Sequence, residues 1–205
     1  AEHAALAIVR LAREHDGRLV LVTLGPLTNL ALAVRLDPAL PARIGRLVVM
    51  GGAVTGKGNT SIGAEFNFAF DPEAAAIVFE AFDNIELVDW EAVLAHGFKH
   101  EDINAWLRVP GTLAAFYQRI SLKTRQWAEG KRGDHWHSAD ALARLAALYP
   151  EHIIEKYRHY VYIETAGKHT RGATVVDWLD RSGCQAQTEI MVRLDQGHFE
   201  AMIQQ

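Results

Sequence analysis

Asn59, Glu65 and Asn67 share one polar stretch directly after the apolar run of residues 47–50. A carboxylate only accepts hydrogen bonds, whereas an amide donates and accepts, so the set suits a ligand that offers both. The stretch opens with Met50-Gly51-Gly52-Ala53, continues through Gly58-Asn59-Thr60 and ends in Ala64-Glu65-Phe66-Asn67. Open α/β sheets bind ligands where an apolar strand gives way to a polar loop at its carboxyl end. Competing readings are a plain loop around Phe66, a left-handed turn at Asn59 and a core Met50. Further on, His135-Trp136-His137 precedes Asp140. Two such imidazoles can hold a metal or sit in a solvated loop. Asp140, just ahead of Ala141-Leu142-Ala143, reads as a first-turn carboxylate, a place that a bound ligand can share.

The flanking pattern predicts the elements that must position these groups. Residues 4–12 carry an amphipathic helical period that stops near Asp16-Gly17. Residues 19–24 form a continuous apolar run bounded by Gly17 and Gly25-Pro26, as expected of a buried strand in a mostly parallel sheet. Residues 27–36 read as a helix with Pro26 in its first turn, ended by Asp37-Pro38. Residues 47–50 are the next strand, which completes a βαβ unit. Asp71-Pro72-Glu73 starts a helix with Asp71 as its cap, and a third strand covers residues 85–88. Helical patterning over 101–127 breaks around Val109-Pro110-Gly111, a basic turn covers 130–133, and a further helix covers 140–148. Residues 160–165, 174–176 and 189–194 read as strands added antiparallel at the edge, before a short terminal helix at 199–203. The remaining histidines read as scattered surface residues.

The chain has 205 residues, 49% hydrophobic and 22% charged, which suits a single domain over 1–205 with a substantial core. A net charge of −4, with no basic run longer than two, argues against a nucleic-acid or anionic-membrane partner. The single cysteine, Cys184, cannot form an internal disulfide and fits a reducing cytosol. No apolar run is long enough to span a bilayer. The chain starts at Ala1 directly in a helical pattern, as a fragment or processed product would.

The ordered blocks closely resemble the inosine-uridine nucleoside hydrolase family. They are Leu24-Gly25-Pro26-Leu27-Thr28-Asn29, Met50-Gly51-Gly52-Ala53, Ala64-Glu65-Phe66-Asn67 with Asp71-Pro72-Glu73-Ala74-Ala75, Asp140-Ala141-Leu142-Ala143, and Thr170-Arg171-Gly172 with Thr174-Val175-Val176-Asp177. The resemblance covers essentially the whole chain but only the carboxy-terminal two-thirds of the family. It implies a Rossmann-like α/β domain, truncated at its amino terminus, that hydrolyses a ribonucleoside to ribose and a free base. It further implies a Ca²⁺ held in part by the Leu24 backbone carbonyl and the Asp140 carboxylate. Asn59, Glu65 and Asn67 would grip the ribose, with Met50 packed near the sugar. The remaining ligands and the general base of the family lie in an Asp-x-Asp-x-Gly-x-Asp-Asp loop, which these 205 residues do not contain. Many members place His just before the metal-binding Asp, but this chain has Ala139, so His137 is the candidate for acting on the base. A cytoplasmic homodimer or homotetramer is implied as well. The alternative is a binding or oligomerisation module without catalysis.

Overall fold

The computed structural model describes residues 1–131 and 133–204; the Arg132 part of the expected basic turn lies outside the described residues. In chain order the elements are α1 (Ala4–His15), β1 (Leu19–Thr23), α2 (Thr28–Leu36), α3 (Leu40–Arg43), β2 (Ile44–Met50), α4 (Phe66–Phe70), α5 (Pro72–Ala81), β3 (Ile85–Val88) and α6 (Trp90–Ala95). There follow β4 (Phe98–Lys99), α7 (His100–Trp106), α8 (Thr112–Lys131), β5 (His135–Trp136), α9 (Ala139–Leu148), β6 (Ile153–His159), β7 (Val161–Ile163), β8 (Thr174–Val176), β9 (Thr188–Leu194) and α10 (Gln196–Ile203).

The main sheet has the order β1-β2-β3-β9-β6, with β1, β2, β3 and β9 parallel and β6 antiparallel at the far edge. Successive strand residues point to opposite faces, and the two hydrophobic clusters follow that alternation. Leu47, Val49, Ile85, Leu87 and Ile190 join the helices α1, α2 and α5 in one cluster. Val48, Met50, Val88 and Met191 join α6, α9 and α10 in the other. Both faces are therefore covered, which is why the parallel strands read as unbroken apolar runs. No helix among the described residues is long and apolar enough to cross a membrane.

Short polar contacts fix the helix starts along the carboxyl edge of the sheet. Asp71 caps α5 by accepting from Ala74 N at 3.1 Å, with Pro72 in the first turn. The other Asp71 carboxylate oxygen accepts from Thr28 Oγ1, which ties the start of α2 to the start of α5. Asp89 caps α6 in the same way, accepting from Ala92 N at 2.9 Å.

Several expectations need correction. Residues 189–194 are not an antiparallel edge addition; β9 is an interior strand, parallel to β3. The antiparallel edge strand is β6, whose sequence Ile-Ile-Glu-Lys-Tyr-Arg-His hides the strand because its residues are mostly half-exposed or exposed. Residues 161–163 and 174–176 pair antiparallel with each other in a separate small sheet. The polar loop ends at Glu65, and Asn67 lies inside the one-turn helix α4. His96 and His100 are buried rather than on the surface. His96 Nε2 accepts from Leu194 N at 2.9 Å while Nδ1 donates to the Ala92 carbonyl at 2.6 Å, pinning α6 to the end of β9.

The Gly51-Gly52 pair has a steric reason. Gly52 adopts φ +76°, and a Cβ there would lie 2.5 Å from Thr174 Oγ1 and 2.8 Å from the Phe68 ring. Gly56 has the same φ but nothing within 4 Å of an added Cβ. Gly56→Ala should therefore cost only the left-handed backbone term, about 1 kcal/mol. Gly52→Ala should cost about 2–4 kcal/mol, because overpacking adds to that term. Equal shifts in the denaturation midpoints of the two variants would refute this assignment.

Candidate active site at the carboxyl edge of the sheet

Parallel pairing brings the ends of β1, β2 and β3 side by side, since Thr23 is opposite Val49 and Met50 is opposite Val88. Leu24, Gly51 and Asp89 each follow one of these ends, so three connections leave the sheet along one edge. This is the edge at which such sheets bind ligands.

Glu65 organises the connection after β2. It is 2% exposed, and its Oε2 accepts from Gly52 N at 3.0 Å, Asn67 N at 2.9 Å and Phe68 N at 3.3 Å. One oxygen thus joins the first turn after β2 to the first turn of α4. Burial raises the Glu65 carboxyl above its ordinary range, although the three amides pull it down, and the charge of Asp140 adds to the rise. Asn67 is buried and donates through Nδ2 to the Met50 carbonyl at 3.1 Å, with Met50 Sδ at 3.3 Å. Met50 is itself buried against the α9 face of the sheet. Asn59 is half-buried, and its Oδ1 accepts from Phe66 N at 2.8 Å and from Thr60 Oγ1 at 3.1 Å. Thr174 on β8 supports the loop from behind by accepting from Ala53 N at 3.0 Å. Thr170-Arg171-Gly172 forms a turn, in which Arg171 pairs with Glu73.

The second group of candidates lines an open cleft of about 670 Å³. Leu24, His137 and Asp140 all contribute to it, together with Tyr117, Trp136 and Arg144. Asp140 sits in the first turn of α9 and opens onto solvent, while protein crowds its inner side and raises its carboxyl by desolvation. His137 packs obliquely on Trp90, with ring centroids 6.0 Å apart, and close against the Gly97 backbone. His135 is bonded to Asp134. The two groups of candidates are neighbours, because the Asp140 charge acts on Glu65.

Sequence reasoning missed a carboxyl pair on the same edge. Asp89 is 1% exposed, and its Oδ2 accepts from Val54 N at 3.0 Å. Glu91 Oε1 accepts from Thr55 N at 3.0 Å and from Thr55 Oγ1 at 2.7 Å. The sequence signal was Val88-Asp89-Trp90-Glu91 at a strand-to-helix junction, which reads as an ordinary cap and conceals the contact between the acids.

These environments separate stability from ligand chemistry. Glu65→Ala would leave three buried amides without an acceptor and should destabilise the fold by about 2–4 kcal/mol. Asp140→Asn removes a charge that has no hydrogen bond among the described residues, and should cost under about 1 kcal/mol. Chemical denaturation of both variants checks the order; a larger loss for Asp140→Asn would contradict it.

The family model for inosine-uridine preferring nucleoside hydrolase matches residues 1–201. The pyrimidine-specific ribonucleoside hydrolase RihA of Enterobacter sp. (strain 638) is 33% identical over 199 residues, which is 94% of this chain and 61% of that protein. The probable uridine nucleosidase 1 of Oryza sativa subsp. japonica is 34% identical over 179 residues, covering 86% of this chain and 54% of that one. Among solved structures, an inosine-guanosine nucleoside hydrolase superposes with a TM-score of 0.89 at 30% identity, over 99% of this chain and 66% of that one. The chain thus spans between half and two-thirds of the length of these relatives. It belongs to the inosine-uridine preferring nucleoside hydrolase family.

Proposed function

We propose that this chain carries the sugar-gripping part of a Ca²⁺-assisted ribonucleoside hydrolase, which cleaves an N-ribosyl bond to give ribose and a free purine or pyrimidine base. The observation that carries the reading is the buried Glu65 carboxylate, held by three amides through Oε2 alone, beside the Asn67 amide at the carboxyl edge of the sheet. Glu65 Oε1 has no hydrogen bond among the described residues and is the oxygen offered to a ribose hydroxyl. Asn67 retains its Oδ1 as an acceptor, and Asn59 retains its Nδ2 as a donor. Vicinal hydroxyls need this mixture of donors and acceptors.

Cleavage of an N-glycosidic bond develops positive charge on the sugar, as in glycoside hydrolysis. That charge favours the ionised form of Glu65, whose burial otherwise opposes it. The fixed amides hold the carboxylate in place, so little reorganisation accompanies the reaction. His137 lines the cleft and is our candidate for protonating or stacking on the departing base.

The Leu24 carbonyl and the Asp140 carboxylate are the oxygens assigned to Ca²⁺. Their chemistry, a backbone carbonyl and a carboxylate, fits a hard cation. Two oxygens supply part of a shell of about six to eight. Among the described residues no group of three or more His, Cys, Asp or Glu side chains adds to them. When bound, Ca²⁺ supplies positive charge that orients and polarises water. The proposal includes a homodimer or homotetramer in a reducing cytosol.

Release of reducing sugar from inosine and from uridine, with and without Ca²⁺, tests the reading. Release that requires Ca²⁺ and falls on the order of 100-fold or more in Glu65→Gln is expected. No release in the presence of Ca²⁺ would remove the claim that this chain is itself an enzyme and favour a binding module. Asp140→Ala should abolish Ca²⁺ binding by titration calorimetry, and an unchanged affinity would remove it from the metal site.

A further inference from the structure

We propose that Asp89 and Glu91 form a proton-sharing carboxyl pair that positions the substrate loop, holding residues 54–57 against the end of β3 while the proton is present. The argument starts from the backbone. Asp89 accepts from Val54 N through Oδ2 and from Ala92 N through Oδ1. Glu91 accepts from Thr55 N, Thr55 Oγ1 and Lys57 N through Oε1 alone. Two neighbouring acids therefore hold three loop residues, Val54, Thr55 and Lys57, and the loop continues directly to Asn59 and Glu65. Glu91 Oε2 is buried and has no donor if both acids are ionised. A proton between the acids supplies that donor and removes the repulsion of two buried negative charges.

The charged or titratable groups carried by the loop, by α6 and by the elements packed on it, α9 and β9, are Lys57, His96, Asp140, Arg144, Glu189 and Arg193. Among the described residues none of these six side chains is ion-paired or hydrogen-bonded to Asp89 or Glu91. His137 lies close by, against Trp90 between the two acids in sequence.

The direction of titration agrees. Burial, then the hydrogen bond to Glu91 and its charge, push Asp89 up to about 8. Glu91 is held low despite burial, by hydrogen bonds from Asp89, Thr55 and Lys57. The pair thus keeps one proton below about pH 8 and loses it above. The interaction is present on the acid side of that value and disappears as pH rises, the reverse of a carboxylate stabilised by a cation. These acids act through the loop amides they hold, so they are positioning residues. Their consequence for ribose rests on the function proposed above, whereas the anchoring itself does not.

The test reads the loop directly and needs no turnover. Solvent exchange of the Val54 and Thr55 amides is followed by NMR from about pH 6.5 to 9.5 and corrected for intrinsic rates, with the Leu47 and Val49 amides of β2 as the control for global opening. In the wild type, protection of Val54 and Thr55 should fall by roughly tenfold per pH unit as pH rises toward the titration of the pair and level off above it, while β2 stays protected. In Glu91→Gln, Oε1 keeps the same acceptor role and Nε2 gives Asp89 a permanent donor, so protection should stay flat. Flat protection in the wild type, a parallel fall in Glu91→Gln, or an equal loss at Leu47 and Val49 would each overturn the proposal.

Discussion

A single carboxylate oxygen, Glu65 Oε2, holds both ends of the polar connection that follows β2. Gly52 lies at its start and Asn67 and Phe68 at its end, and all three donate their amides to that oxygen. Without an acceptor there, three buried N–H groups would each bear a desolvation penalty. The intervening chain would also lose the closure that brings Asn59 and Glu65 to the sheet edge. Everything assigned to sugar binding is built on this contact.

The neighbouring residue types follow from the same constraint. Phe68 sits wholly buried beneath Gly51 and Gly52, in edge-to-face contact with Phe79 at 5.5 Å, so side chains at 51 and 52 are sterically forbidden. Asn67 returns its side-chain amide to the Met50 carbonyl, satisfying the last acceptor of β2. Thr174 accepts from Ala53, which explains why a distant Thr-Val-Val strand belongs with the Met-Gly-Gly-Ala turn. Thr28 bonds Asp71 and ties the Leu-Gly-Pro-Leu-Thr-Asn block to the Asp-Pro-Glu helix start. The motifs that are scattered along the sequence are thus one connected set of supports.

The same supports account for which elements are legible in the sequence. Interior strands buried on both faces leave unbroken apolar runs, so β2 and β3 are legible, as is the Asp71 cap; β1 is equally apolar but lies at the sheet edge with none of its residues fully buried, so its run marks a strand without marking its place. Residues 189–194 carry the same kind of strand, but nothing local says which neighbour a strand will pair with, so β9 was misplaced at the edge. β6 was missed because an edge strand with exposed residues carries little hydrophobic pattern. At the site, residue types marked Glu65, Asn67 and Asp140 as candidates. Spacing did not reveal that Asn59 Oδ1 is occupied by the Phe66 amide, and it left Met50 open between core and sugar contact, where the structure buries it. The Asp89–Glu91 contact was invisible because a helix cap explains each acid separately.

The central claim is that the connection from Met50 to Asn67 grips ribose, and methyl NMR addresses it directly. The chain has three methionines, and two report on contrasting places: Met50 lies at the sheet end beneath Asn67, and Met191 is buried further along the same face. Ribose added in the presence of Ca²⁺ should shift the Met50 methyl and the Asn67 side-chain amide saturably, with the same dissociation constant, and leave Met191 nearly unmoved. Saturable binding that leaves Met50 and Asn67 unchanged, or no binding at all, would contradict the account.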